Sequence, residues 1–184
     1  MSKTTRREML KKVGAAGTVA AGLGLAPVVS RSASLNDGTP TSATVSFGSW
    51  KTPLDRFTTL PPPSANHHRL TPMTVSIEAG GTVNFIISGL HLVEVHADGT
   101  QPGDINTSLL ILPPPGVMLP PLINDPHRRI YRGLDPRALL PTLDRVEVVH
   151  FANPGTYLVI CAVLPHFLDG QFGFVRVLPN SHGD

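Results

Sequence analysis

Cys161, His166 and Gln171 follow one another with the spacing Cys-x4-His-x4-Gln near the end of a 184-residue chain. Residues 156–161 (TYLVIC) read as a strand with apolar side chains on both faces, and 171–178 (QFGFVRVL) as the strand that closes the chain. Cys161 ends the first, Gln171 opens the second, and His166 lies in the loop between them, so one hairpin can aim all three side chains at one point. A soft thiolate beside an imidazole suits copper or zinc. A trigonal His2Cys set with a weak axial donor, of which Gln is one, is the arrangement used for electron transfer by copper. A buried cysteine at the end of an apolar strand is by itself ordinary core. The histidine and glutamine at matching offsets turn the reading toward metal. Cys161 is the one cysteine of the sequence, so an internal disulfide is excluded.

The elements that must position this hairpin read as short strands. Residues 44–50 form a first strand, and 73–78 (MTVSIE) a second, in which apolar and polar residues alternate. Ala79-Gly80-Gly81 turns the chain into 82–88, and 91–96 (HLVEVH) is another strand. Residues 145–151 alternate and are β-branched, and Asn153-Pro154-Gly155 turns into the strand that ends at Cys161. Residues 52–72, with Pro61-Pro62-Pro63, read as an ordered loop. Residues 101–143 hold nine prolines and little periodicity, and read as a long insertion. Within it Asp135-Pro136 followed by RALL fits an N-cap, a proline at the first helical position and one or two helical turns. At least six short strands separated by turn signals predict an all-β sandwich of one domain.

Residues 151–177 (FANPGTYLVICAVLPHFLDGQFGFVRV) resemble the C-terminal ligand loop of cupredoxins, the plastocyanin-like blue copper proteins. In that family the strand ends in a copper-binding cysteine, a histidine follows, and an axial residue, usually Met, precedes the last strand. Cys161 and His166 match. Gln171 stands at the axial position, as in stellacyanin-like phytocyanins, which normally carry a disulfide that this chain cannot form. The family's other histidine lies near the end of an earlier strand. Val83-Asn84-Phe85 followed by Gly89-Leu90-His91 resembles that segment, which gives the role to His91, with His96 as runner-up pointing to the opposite face. The resemblance covers 73–98 and 145–178. It implies a Greek-key β-sandwich at 44–184 and leaves the 101–143 insertion, with the short helix read within it, unexplained. It further implies one copper ion cycling between Cu(I) and Cu(II), and a redox protein docking near His166. The function implied is single-electron transfer; storage, delivery or assembly of copper is the alternative.

Other residues carry less. His150 reads as an ordinary strand residue, His67-His68 as part of the loop and His127 as part of the insertion, none with a metal role. Arg128, Arg129, Arg132 and Arg137 read as a solvated or ion-paired group, not a docking patch. No Ser-His-Asp order, phosphate-binding glycine loop or H-E-x-x-H is present, so the chain reads as no enzyme.

The formal net charge of +2 is unevenly spread. Residues 1–34 hold six basic side chains against Glu8, which leaves 9 basic and 12 acidic residues, a net of −3, in the remainder. The body therefore has no general attraction for nucleic acid. Residues 5–11 (TRREMLK) resemble the twin-arginine export signal, with Met9 where Phe is usual. The uncharged, Gly- and Ala-rich stretch 13–30 that follows is barely long enough to span a bilayer. Residues 1–34 thus read as a cleaved leader, or alternatively as a retained anchor, and 35–43 as a linker. The resemblance implies a periplasmic or extracellular protein, without a membrane span once mature, and a monomer.

Overall fold

The structure is a computed structural model that describes residues 38–48, 68–137 and 143–180. The leader, the end of the first expected strand, most of the 52–72 loop and residues 138–142 lie outside the described residues.

Two sheets share one core. The first has the strand order β2-β1-β4-β9, formed by β1 (Ser42–Gly48), β2 (Leu70–Thr71), β4 (Gly81–Ser88) and β9 (Asp144–Phe151). The second has the order β3-β11-β10-β5-β8. It is formed by β3 (Thr74–Glu78), β5 (Val93–His96), β8 (Arg129–Arg132), β10 (Gly155–Cys161) and β11 (Phe172–Leu178). The pairs β1/β4 and β3/β11 are parallel, and the others are antiparallel. A hairpin of β6 (Leu110–Ile111) and β7 (Leu122–Ile123) completes the strands among the described residues, and a short helix α1 (Leu164–Leu168) lies between β10 and β11. The expected all-β sandwich is therefore observed.

Period-two alternation explains which side chains face inward. From the first sheet Val45, Phe47, Val83, Phe85, Ile87, Val149 and Phe151 are buried, and from the second Ile77, Val93, Val95, Tyr157, Val159, Val175 and Val177. Phe47 and Phe85 meet edge to face, with ring centroids 5.8 Å apart, the arrangement that the ring quadrupoles favour. At one end of the inner face, polar residues replace the apolar ones. Arg145 and Glu147 on β9 pair with Ile87 and Phe85 of β4 and form a buried ion pair with Nε–Oε1 2.6 Å. Tyr131 donates its hydroxyl hydrogen to the other Glu147 oxygen at 2.8 Å.

The insertion is part of the fold. It supplies β8 to the edge of the second sheet, and its Ile105, Leu122 and Ile123 are buried in the same hydrophobic cluster as the sandwich. Ile123 donates its N–H to Ala162 at 2.7 Å and Leu164 donates to Pro121 at 3.1 Å, which fastens the insertion to the chain leaving Cys161. The outer face of the second sheet is covered in consequence. Glu94 is fully buried there and accepts from Arg129 and Arg132, while Arg137 pairs with Asp135 at 2.8 Å. These arginines are ion-paired, as expected, but Arg129 and Arg132 turn inward to a buried carboxylate. The expected N-cap at Asp135 survives as a turn in which Asp135 accepts from the Arg137 N–H at 2.9 Å; the helical turns expected after it fall largely outside the described residues.

Candidate metal centre

Each predicted side chain is placed by backbone bonds of its own neighbourhood. Cys161, the last residue of β10, donates its N–H to the Gln171 carbonyl at 2.9 Å, and Gln171 donates to the His166 carbonyl at 2.9 Å. The hairpin end is thereby cross-tied through all three residues. His166 sits on α1, not in an irregular loop. Pro165 at the start of the helix needs no N–H partner there, and Val163 accepts from the N–H groups of His166 and Phe167 at 2.9 and 3.0 Å.

His91 precedes β5 in a tight turn where its N–H donates to Gly89 at 2.9 Å. Arg145 donates to the His91 carbonyl at 2.9 Å, and Ala162 donates to Leu92 at 2.7 Å. The His91 turn is thus joined both to β9 and to the residue that follows Cys161. Gly48 ends β1 at a φ of +102°, and a β-carbon there would stand 2.5 Å from His91 Nε2. Only glycine lets the strand pass that close to the ring.

Three donor atoms converge. Cys161 Sγ lies 3.5 Å from His91 Nδ1 and 3.7 Å from His166 Nδ1, and the two nitrogens are 3.1 Å apart. A point equidistant from all three lies about 2.0 Å from each, close to metal–imidazole and slightly short of metal–thiolate bond lengths. Gln171 is fully buried next to them. Its amide favours the charged form of the His91 ring, yet neither amide atom reaches a partner with hydrogen-bond geometry. A buried amide left in that state costs free energy, and an ion at the convergence point would give its oxygen a partner. Donor types, spacing and the orphaned amide therefore fit a copper ion.

Burial, followed by the neighbouring His166 and His68, holds His91 well below the usual imidazole range. Burial and His68 bring His166 down to about 4, with Asp169 opposing. Burial pushes the Cys161 thiol up to about 12, against the pull of the Leu92 and Val163 N–H groups and of Arg145. Both imidazoles are then neutral near pH 7, as metal ligands must be, and the thiol has one proton to lose.

Of two further histidines, one keeps its expected place and one does not. His96 faces away from the centre, as expected for a runner-up; it is fully buried, and its Nδ1 donates to the His127 carbonyl at 3.1 Å. His68, expected in the loop without a metal role, comes to the centre: its ring stacks on His166 with centroids 4.0 Å apart and planes 13° from parallel. Ring nitrogens of His68, His91 and His166 all lie within 4.8 Å of one another. The short strand β2, which pairs Leu70 with Phe47 beside Gly48, brings His68 there. Nothing in the local sequence signals that long-range pairing.

No family model matches the sequence, and no curated protein matches it. Solved structures do. Reduced auracyanin from the photosynthetic bacterium Roseiflexus castenholzii is 18% identical, over 77% of this chain and 100% of that one, with a TM-score of 0.47. Pseudoazurin from Hyphomicrobium denitrificans is 20% identical over 74% of each chain, with a TM-score of 0.39. Plastocyanin from Dryopteris crassirhizoma is 16% identical over 73% of this chain and 99% of that one, with a TM-score of 0.40. These neighbours are cupredoxins, the family that residues 151–177 resemble.

Proposed function

We propose that this chain is a copper protein of the cupredoxin type that carries single electrons between redox partners and catalyses no reaction of its own. The observation that carries the reading is the convergence of Cys161 Sγ, His91 Nδ1 and His166 Nδ1 within 3.1–3.7 Å of one another. In this reading Cys161, His91 and His166 are the three strong ligands and the Gln171 amide oxygen is the weak axial one.

Bound copper would supply the one-electron couple between Cu(I) and Cu(II). The chain supplies a rigid seat. His91 is held by Gly48 behind its ring and by Arg145 on its carbonyl, so it stays in place whatever the charge at the centre. Cys161 and His166 are held by the cross-tied hairpin end, so little rearranges when one electron arrives or leaves. His166 is half-buried, between an exposed Pro165 and Leu168, which is 68% exposed. That apolar rim suits close approach of a partner protein to the imidazole edge. The reading is tested by Cu(II) titration of the purified protein followed by its visible spectrum; absence of one tight equivalent would sink it.

Residues 1–34 act, in the same reading, as a twin-arginine-type export leader, followed by a linker and the copper domain. The working place is then the periplasm or the cell exterior, and the working form a monomer without a membrane span. Support comes from Arg6-Arg7 in the TRREMLK stretch. Among the described residues no helix is long and apolar enough to cross a membrane. Replacing Arg6 and Arg7 by Lys should hold the protein in the cytoplasm, and unchanged export would exclude that route.

A further inference from the structure

Three histidines with ring nitrogens within 4.8 Å of one another read at first as a three-imidazole metal site. The ring planes argue otherwise. An imidazole nitrogen binds along its lone pair, which lies in the plane of the ring. His166 turns Nδ1 toward Cys161 and His91, so an ion on that lone pair lies in the His166 plane. The His68 plane is nearly parallel to it, displaced by the stack, with centroids 4.0 Å apart and 13° between planes. One ion cannot lie in both planes. His91, whose plane is inclined at 46° to His166, has no such conflict.

We propose that His68 is a positioning residue: it lies flat on the His166 ring and holds that ring with Nδ1 turned inward, without ligating the ion. The inference rests on the copper reading above. The clamp has two independent ends. The His68 N–H donates to Asp169 Oδ2 at 3.2 Å, and Asp169 caps α1, its own N–H donating to Pro165 at 3.1 Å. The segment bearing His68 is thus tied to the helix that bears His166. On its other side β2 is tied to β1 at Phe47, whose ring meets His91 edge to face at 6.4 Å. His68 therefore spans from the strand behind one ligand to the helix of the other. His166 is the ligand that most needs this, because His91 is enclosed by Gly48 and Arg145 whereas His166 is half-buried and can swing outward about its side-chain torsions. A flat ring over it blocks that swing, and stacked aromatic pairs have the strength to do so.

The test compares wild type with His68→Ala, which removes the ring, and His68→Phe, which keeps the ring and removes both nitrogens. Copper-loaded proteins are challenged with an excess of a competing chelator. His68→Ala should lose copper roughly 2- to 10-fold faster than wild type, and His68→Phe should return the rate to within about twofold of wild type, as a stacking role requires. Equal losses in Ala and Phe would overturn the proposal in favour of a ligating nitrogen. A His68→Ala rate equal to wild type would overturn it outright. NMR of the metal-free proteins reads the stack without copper: His166 ring protons should be shifted upfield in wild type and His68→Phe, and not in His68→Ala. Unchanged His166 signals in His68→Ala would contradict the stack itself. A wild type that shows the upfield shift but takes up no copper would overturn the copper reading instead.

Discussion

The His91 ring rests against the backbone of Gly48, so close that a β-carbon on Gly48 would stand 2.5 Å from Nε2. The Gly48 φ of +102° adds a second reason for glycine. Gly48→Ala must move β1 away from both the His91 ring and the Ser88 carbonyl, which a β-carbon would approach more closely still. It should destabilise the metal-free protein by about 1–3 kcal/mol, measured by denaturant unfolding. If the variant folds, it should bind Cu(II) at least tenfold more weakly than wild type. A folded variant with wild-type affinity would show that His91 does not depend on this contact.

Gln171 yields a prediction with two parts. Its amide is fully buried without a hydrogen bond of good geometry, a condition that costs on the order of 1–3 kcal/mol. Gln171→Met removes the orphaned amide at similar side-chain length. The metal-free protein should therefore become more stable by a similar amount. In the loaded protein a hard oxygen is exchanged for a soft thioether, which favours Cu(I), so the reduction potential should rise. Each ~59 mV is a tenfold change in relative affinity for the two states. A potential that stays fixed while the metal-free protein is stabilised would make Gln171 a core residue and not a ligand.

The protonation states set the pH dependence. His166 takes its proton only near pH 4, and His91 is held well below its usual range. The Cys161 thiol keeps its proton to about pH 12. Between about pH 5 and 8, uptake of one Cu(II) should then release one proton, and the apparent affinity should rise tenfold for each unit of pH. Below about pH 4 a second proton competes at His166 and the dependence should steepen. Calorimetry in buffers of different ionisation enthalpy counts the protons. A count of zero between pH 5 and 8 would mean that the thiol is not a ligand.

The final hairpin was legible in sequence because its site is local. Cys161, His166 and Gln171 lie within eleven residues, and the strands on either side alternate or are apolar throughout. His91 was legible only through resemblance, since the turn at Gly89 and the grip of Arg145 are tertiary. His68 was not legible: its position depends on a two-residue strand pairing with β1, too short to leave a periodic pattern. Strand β8 was hidden for a related reason. Its sequence RIYR looks solvent-facing, and only the buried Glu94 opposite explains why Arg129 and Arg132 turn inward. Helix α1 has no capping side chain on Val163, so the usual start signal is missing.

The central claim is that Cys161, His91 and His166 form one copper seat, and its most direct measurement is a Cu(II) titration followed by visible absorption, on wild type and Cys161→Ala. Wild type should take up one equivalent and develop an intense thiolate-to-copper band that saturates at that equivalent. Cys161→Ala should fold, since the change is small and apolar, and should show no such band at any copper level. A wild type without the band, or a Cys161→Ala variant that keeps it, would contradict the account.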